Sequence, residues 1–172
     1  IGDAVASYIG SDFTVASYLR DRSELWVAER FATYRDVHTV FRSCNRAFRQ
    51  EASERAKAWC GECDKCLFIN LVLAPFLSRA DLDDIFGGAS PLTKPALSDQ
   101  LRSLVGLGEE KKPFECVGDP DECAVALNAV VALDEYTAFE HLHTIARACS
   151  SDQSMQELLQ AQGASRVPAT WL

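Results

Sequence analysis

A chain of 172 residues that is 48% hydrophobic can close a core without disulfides, and its net charge of −8 excludes the basic stripe that a general nucleic-acid surface needs. The longest apolar run, residues 67–77, is broken by Asn70 and Pro75 and is too short to span a bilayer. Neither nucleic acid nor a membrane is an expected partner.

In chain order, residues 1–20 mix glycine, serine and β-branched types and allow only a short helix and a loop. Asp21 with Glu24 forms a capping box, and Leu25, Trp26, Ala28, Phe31 and Ala32 follow at helical spacing. Residues 34–41, which contain Val37, Thr39, Val40 and Phe41, read as a short extended segment. Residues 50–57 are polar, a solvated helix or loop. Asp64 is the expected N-cap of a helix over residues 65–77, apolar on most sides and kinked by Pro75.

Residues 81–86 make another helix, stopped by Gly87-Gly88, and residues 97–105 one ended by Gly106 and Gly108. Asp119-Pro120-Asp121-Glu122 is a strong helix start, with Asp as N-cap and proline at the first position. That helix continues over residues 124–133, and the next is expected over residues 135–149. Ser154 and Glu157 cap a last short helix to about residue 162, before a frayed tail at 167–172.

Four of the seven cysteines, Cys44, Cys60, Cys63 and Cys66, fall within 23 residues, three of them as Cys60-Gly61-Glu62-Cys63-Asp64-Lys65-Cys66. Two intervening residues let a tight turn aim both sulfurs at one point, so four thiolates can close a tetrahedral zinc site with no open position for water. Such a site is structural. A [4Fe–4S] cluster is the second reading of the spacing and a Cys60/Cys63 redox dithiol the third. Arg42, Arg46, Arg49 and Lys65 stand near enough in sequence to offset thiolate charge. If residues 42–49 are helical, the three arginines share one face and form a site for phosphate or carboxylate.

Cys123 and Cys149 read as small buried hydrophobes. Cys116, beside Glu115 and just before a helix start, is a candidate for acid–base work. His141 and His143 face different ways on a helix and are not a metal pair, and His38 has no visible partner. No phosphate-cradling loop appears. The expected class is mainly α, an irregular helical domain organised around a four-cysteine zinc knuckle, with at most one or two short strands. Residues 1–11 lack the features of a signal peptide, and close-set cysteines in odd total number favour the cytoplasm.

Ser43-Cys44-Asn45-Arg46-Ala47-Phe48, the Trp59–Cys66 cluster, Leu73-Ala74-Pro75-Phe76-Leu77 and Lys112-Pro113-Phe114-Glu115-Cys116-Val117-Gly118 together resemble the C-terminal part of the MurL family. Its members are UDP-N-acetyl-muramoyl-L-alanyl-L-glutamate epimerases, and Leu25-Trp26-Val27-Ala28-Glu29-Arg30-Phe31-Ala32 is similar to another family segment. The family is related to the ATP-pyrophosphatase enzymes, among them 7-cyano-7-deazaguanine synthase, where a similar cysteine cluster holds structural zinc. The resemblance implies ATP- and Mg²⁺-dependent inversion of the terminal L-glutamate of a UDP-muramoyl dipeptide, in peptidoglycan precursor synthesis.

It also implies a fragment, inactive alone, whose ATP-binding N-terminal domain is missing; Ile1 at the start and Met155 as the single methionine agree with that. Residues 1–22 would then be a lead-in, 23–165 the helical zinc-knuckle domain and 166–172 a tail. Glu115 and Cys116 would face the substrate or transfer protons, and Arg46 and Arg49 would grip an anion. Asp64 stands where the family pattern has proline. From a different class, the alternative is a free-standing zinc-knuckle domain that docks a protein partner.

Overall fold

The computed structural model describes residues 2–10, 15–56, 58–88, 90–108, 117–165 and 167–171. Among them the architecture is all helical: α1 (Gly2–Tyr8), α2 (Glu24–Ala32), α3 (Asp64–Leu73), α4 (Arg79–Phe86), α5 (Ser98–Leu104), α6 (Pro120–Val131), α7 (Glu140–Ala148) and α8 (Met155–Leu158), linked by 3₁₀ turns. No strand forms among the described residues, so the allowance for one or two falls to none. The segment at 34–41 instead contains the 3₁₀ turn Arg35–Val37, after which Phe41 packs its ring 4.5 Å from that of Phe31. An extended segment needs a partner strand to satisfy its backbone, and this one has none.

Helix α3 is the axis of the fold. It packs against α2, α5 and α6, and Cys66, Leu67, Phe68, Asn70 and Leu71 are at most 1% exposed. Fully burying a leucine or phenylalanine stabilises by roughly 1.5–3 kcal/mol each, so this helix contributes much of the core's driving force. It begins one residue earlier than the sequence predicts, with Cys63 rather than Asp64 at the N-cap. It also stops at Leu73, and Pro75 sits in the turn beyond the helix instead of kinking it.

Two of the expected caps hold as read. Asp119 accepts from the amide of Asp121 at the start of α6, and Ser154 and Glu157 form a reciprocal capping box on α8. The cap of α2 is different: Ser23, not Asp21, accepts from the Trp26 amide at 2.9 Å. Ser23 has a second task that a local motif does not reveal, since its hydroxyl donates to the Leu158 carbonyl at 2.7 Å. From α6, Glu122 reaches over to accept from the Leu25 amide at 3.1 Å, and burial pushes its carboxyl above the usual range. The helix expected over residues 135–149 is shortened to α7, because the 3₁₀ turn Asp134–Tyr136 first drops the Tyr136 ring into the core.

The Glu157 carboxylate accepts from the Ser154 backbone and hydroxyl, both at 2.7 Å, which lowers its pKa. A depressed carboxyl stabilises the fold above its unfolded value of about 4.5 and loses that contribution as pH falls through the lower folded value. The stability of Glu157→Gln should therefore approach that of wild type only as pH falls below the usual glutamate range, and a constant offset between the two curves at all pH would contradict the capping role.

Gly118, with φ at +32°, lies against the Phe68 ring, and a Cβ there would collide with Cε2 of that ring. Gly118→Ala is expected to destabilise by about 1–3 kcal/mol through overpacking, measured as a shift in urea midpoint at constant slope.

Candidate metal centre

The knuckle is assembled from one loop residue and one turn. Cys44 precedes the 3₁₀ turn Asn45–Phe48, while Cys60, Cys63 and Cys66 run through a tight turn into the first turn of α3. Gly61, at φ +66°, makes that turn possible, and a Cβ there would lie 3.0 Å from Lys94 Nζ. All four Sγ atoms lie within 4.8 Å of one another. Cys66 Sγ is 3.6 Å from Cys60 Sγ and 3.5 Å from Cys63 Sγ.

A single ion with metal–sulfur bonds of about 2.3 Å sits in a tetrahedron whose edges are about 3.8 Å, so these sulfurs need only minor adjustment to hold one. A four-iron cluster puts a separate iron behind each thiolate and spreads the sulfurs much further. The donor set therefore fits one soft divalent ion. Among the described residues this is the only grouping of three or more His, Cys, Asp or Glu side chains with metal-binding geometry.

The hydrogen-bond contact between the Cys63 and Cys66 sulfurs pulls Cys63 down to about 4 and pushes Cys66 up. Burial raises Cys60, and burial together with the neighbouring Cys63 charge raises Asp64. Backbone amides point inward as well: that of Cys60 donates to Cys44 Sγ at 3.4 Å, and those of Asn45 and Cys66 help hold the negative charge on Cys63. N–H dipoles around thiolates offset charge that a divalent ion leaves uncompensated.

The surroundings include partners that sequence spacing does not reveal. Lys94, 33 residues from the turn, donates its ammonium to the Gly61 carbonyl at 2.9 Å. Glu62, inside the knuckle, pairs with Arg46 at 3.2 Å. Trp59 is 6% exposed and wedges its ring between Phe41 (5.1 Å) and Phe86 (4.9 Å), tying the knuckle to α4. The only early hint of that role was a tryptophan next to a metal-spaced cysteine.

The three arginines do not share a helix face, because residues 42–49 contain only the 3₁₀ turn Asn45–Phe48. Arg42 donates to the carbonyls of Thr39 and Phe41, Arg46 pairs with Glu62, and Arg49 pairs with Glu54 at 2.9 Å. The negative charge at Cys60, then Glu62, raises the Arg46 pKa further above its already high value. Lys65 places its ammonium 5.1 Å from the centre of the Phe68 ring.

Cys123 and Cys149 are core residues. His38, His141 and His143 each bond a backbone carbonyl, of Phe31, Leu92 and Tyr136 respectively, so the partner His38 lacked in sequence is the turn of α2 it packs on. Glu115 and Cys116 lie outside the described residues.

With this geometry in place, the likeness to known proteins can be stated. Residues 40–160 match the MurL C-terminal domain, a span that contains all four knuckle cysteines. The chain belongs to the MurL C-terminal domain family. It is 40% identical over 134 residues to a UDP-N-acetyl-alpha-D-muramoyl-L-alanyl-L-glutamate epimerase of Micromonospora sp., covering 77% of this chain and 29% of that protein. An epimerase of the same name from Salinispora tropica is 41% identical over 126 residues, 73% of this chain and 26% of its own length. A third, from Xanthomonas oryzae pv. oryzae, is 32% identical over 178 residues, with coverage of 99% and 39%. The chain thus spans between about a quarter and two fifths of these MurL relatives. No solved structure gives a significant match. Among the described residues no helix is long and apolar enough to cross a membrane.

Proposed function

We propose that this chain serves as the zinc-bearing C-terminal domain of an epimerase that inverts the terminal L-glutamate of UDP-MurNAc-L-Ala-L-Glu to D-glutamate, in cytoplasmic peptidoglycan precursor synthesis. The observation that carries the reading is the family match running through a closed four-thiolate knuckle. Cys44, Cys60, Cys63 and Cys66 hold zinc, which supplies cross-linking of the loop around Cys44 to α3 and no Lewis-acid chemistry, since four thiolates leave no position for substrate.

Residues 23–165 act as the domain proper, with 1–22 leading in from the ATP-binding portion of the polypeptide and 166–172 as a tail. That portion uses ATP and Mg²⁺ to adenylate the glutamate carboxylate, with loss of pyrophosphate. The acyl adenylate makes the α-proton more acidic, so a base can remove it and an acid return it on the other face; water then cleaves the mixed anhydride, releasing AMP and the D-glutamate carboxylate. Glu115 and Cys116 are the groups we assign to proton transfer or substrate contact in this chain. Arg46 and Arg49 are those for an anion, which would have to compete with Glu62 and Glu54 for them.

A chimera tests this reading: the matching segment of the Xanthomonas relative is replaced by this chain. The expected result is one zinc per polypeptide by elemental analysis and ATP-dependent conversion of L- to D-glutamate in the dipeptide. Loss of turnover on Cys116→Ala, with zinc and thermal midpoint unchanged, would support its assignment. An unchanged rate would remove it. A folded, zinc-loaded chimera that never epimerises would overturn the proposal.

A further inference from the structure

Ten large hydrophobic side chains are exposed among the described residues, and nine of them lie between residues 8 and 48. Tyr34, Val40 and Phe48 are 64%, 70% and 67% exposed. From residue 49 to residue 165, by contrast, the described large apolar residues are buried or half-buried. Scattered exposed apolar groups are ordinary on a protein surface, but their confinement to one stretch of the chain points to a covering partner for that stretch.

The same part borders an open groove of about 200 Å³ between α2 and α3, formed by Val27, Phe31, Phe41, Ile69 and Val72, with Glu24 and Ser43 also lining it. Phe31 and Phe41, two of its walls, are joined by the loop that carries Tyr34, Val37 and Val40.

We propose that this groove and the loop at 34–40 seat the amino-terminal portion of the longer family polypeptide, through an apolar segment of that portion. The proposal rests on the epimerase reading above. The matched family unit is a C-terminal domain and the relatives are roughly two and a half to four times the length this chain covers, so most of their mass precedes it. The exposed apolar residues gather at the end of the domain nearest that mass in sequence. Covalent connection raises effective concentration to about the millimolar range, so a modest apolar face suffices for intramolecular docking. A stable dimer of free chains needs an interface above about 1,000 Å².

Hydrogen exchange on this chain alone and within the Xanthomonas chimera tests the assignment. Amides of α2 and of residues 33–41 should exchange at least about tenfold more slowly in the chimera. The double change Val27→Glu/Val40→Glu should abolish that difference with zinc content and circular dichroism of the isolated chain unchanged. Thr144→Glu on the exposed side of α7 should not. If the chimera misfolds, the same measurement on the intact Xanthomonas relative should show the aligned segment protected. An active chimera without protection there overturns this face and leaves the epimerase reading standing. An inactive and unprotected chimera counts against both. Protection already present in the isolated chain, together with a dimer by sedimentation that the double change dissociates, would give the groove to a second copy instead.

Discussion

Cys63→Ser should lose its metal and, with it, the cooperative unfolding transition. Cys63 caps α3 and contributes one corner of the sulfur tetrahedron, so serine removes a ligand where the loop around Cys44 is tied to the most buried helix. Apparent binding free energies of structural zinc, about 10–16 kcal/mol in small zinc-folded peptides, are of the same order as a whole domain's stability of about 5–15 kcal/mol. The expected readout is zinc near zero per chain and a thermal midpoint lowered by tens of degrees or no longer measurable. Cys149→Ser, at a buried thiol that donates to the Ala146 carbonyl, should keep its zinc and lose little stability. Because the Cys63 variant can fail to accumulate, chelator titration of the unaltered chain gives a second measurement, in which midpoint and bound zinc should fall together. A Cys63→Ser chain with full zinc and an unchanged midpoint would end the structural-metal reading.

The second large effect is expected at Asn70→Leu. Asn70 is fully buried on α3, and its Oδ1 accepts from the Ser90 hydroxyl and from the Leu92 amide at 2.9 Å. Leucine has a similar volume but no acceptor, so two buried donors lose their partner. An unsatisfied buried donor costs about 1–3 kcal/mol, so the two stranded donors cost about 2–6 kcal/mol, partly offset by removal of Asn70 Nδ2, which is buried with no partner among the described residues. Urea unfolding at constant slope measures this. Ser90→Ala in the same background should recover part of the loss, since it removes one of the stranded donors. A double variant no more stable than Asn70→Leu would mean that the hydroxyl bond is not the source of the cost.

How far these residues were legible from sequence depends on the distance over which each acts. Asp119 and the Ser154/Glu157 pair announce helix starts because a cap binds an amide two or three residues away. Asp21 looked equally good and lost to Ser23, whose hydroxyl also reaches Leu158, 135 residues on. Pro75 implied a kink, yet α3 had already ended, since helix length is set by the packing around it as much as by its own residues. The β-branched residues at 37–41 suggested a strand by propensity, but propensity supplies no partner strand.

By itself the sequence determined the class of the fold and the four residues able to surround a metal. Both rest on short-range chemistry: helical periodicity repeats within a few residues, and a Cys-x-x-Cys turn brings sulfurs together through local backbone geometry. Tertiary structure alone decided that Lys94 braces the knuckle turn, that Glu122 reaches the start of α2 across 97 residues, and that Asn70 holds the loop at 90–92. It also separated Arg42, Arg46 and Arg49, and opened an apolar groove between α2 and α3. Contacts at such separations depend on how whole helices pack, and helix packing leaves no fixed spacing between the residues it brings together.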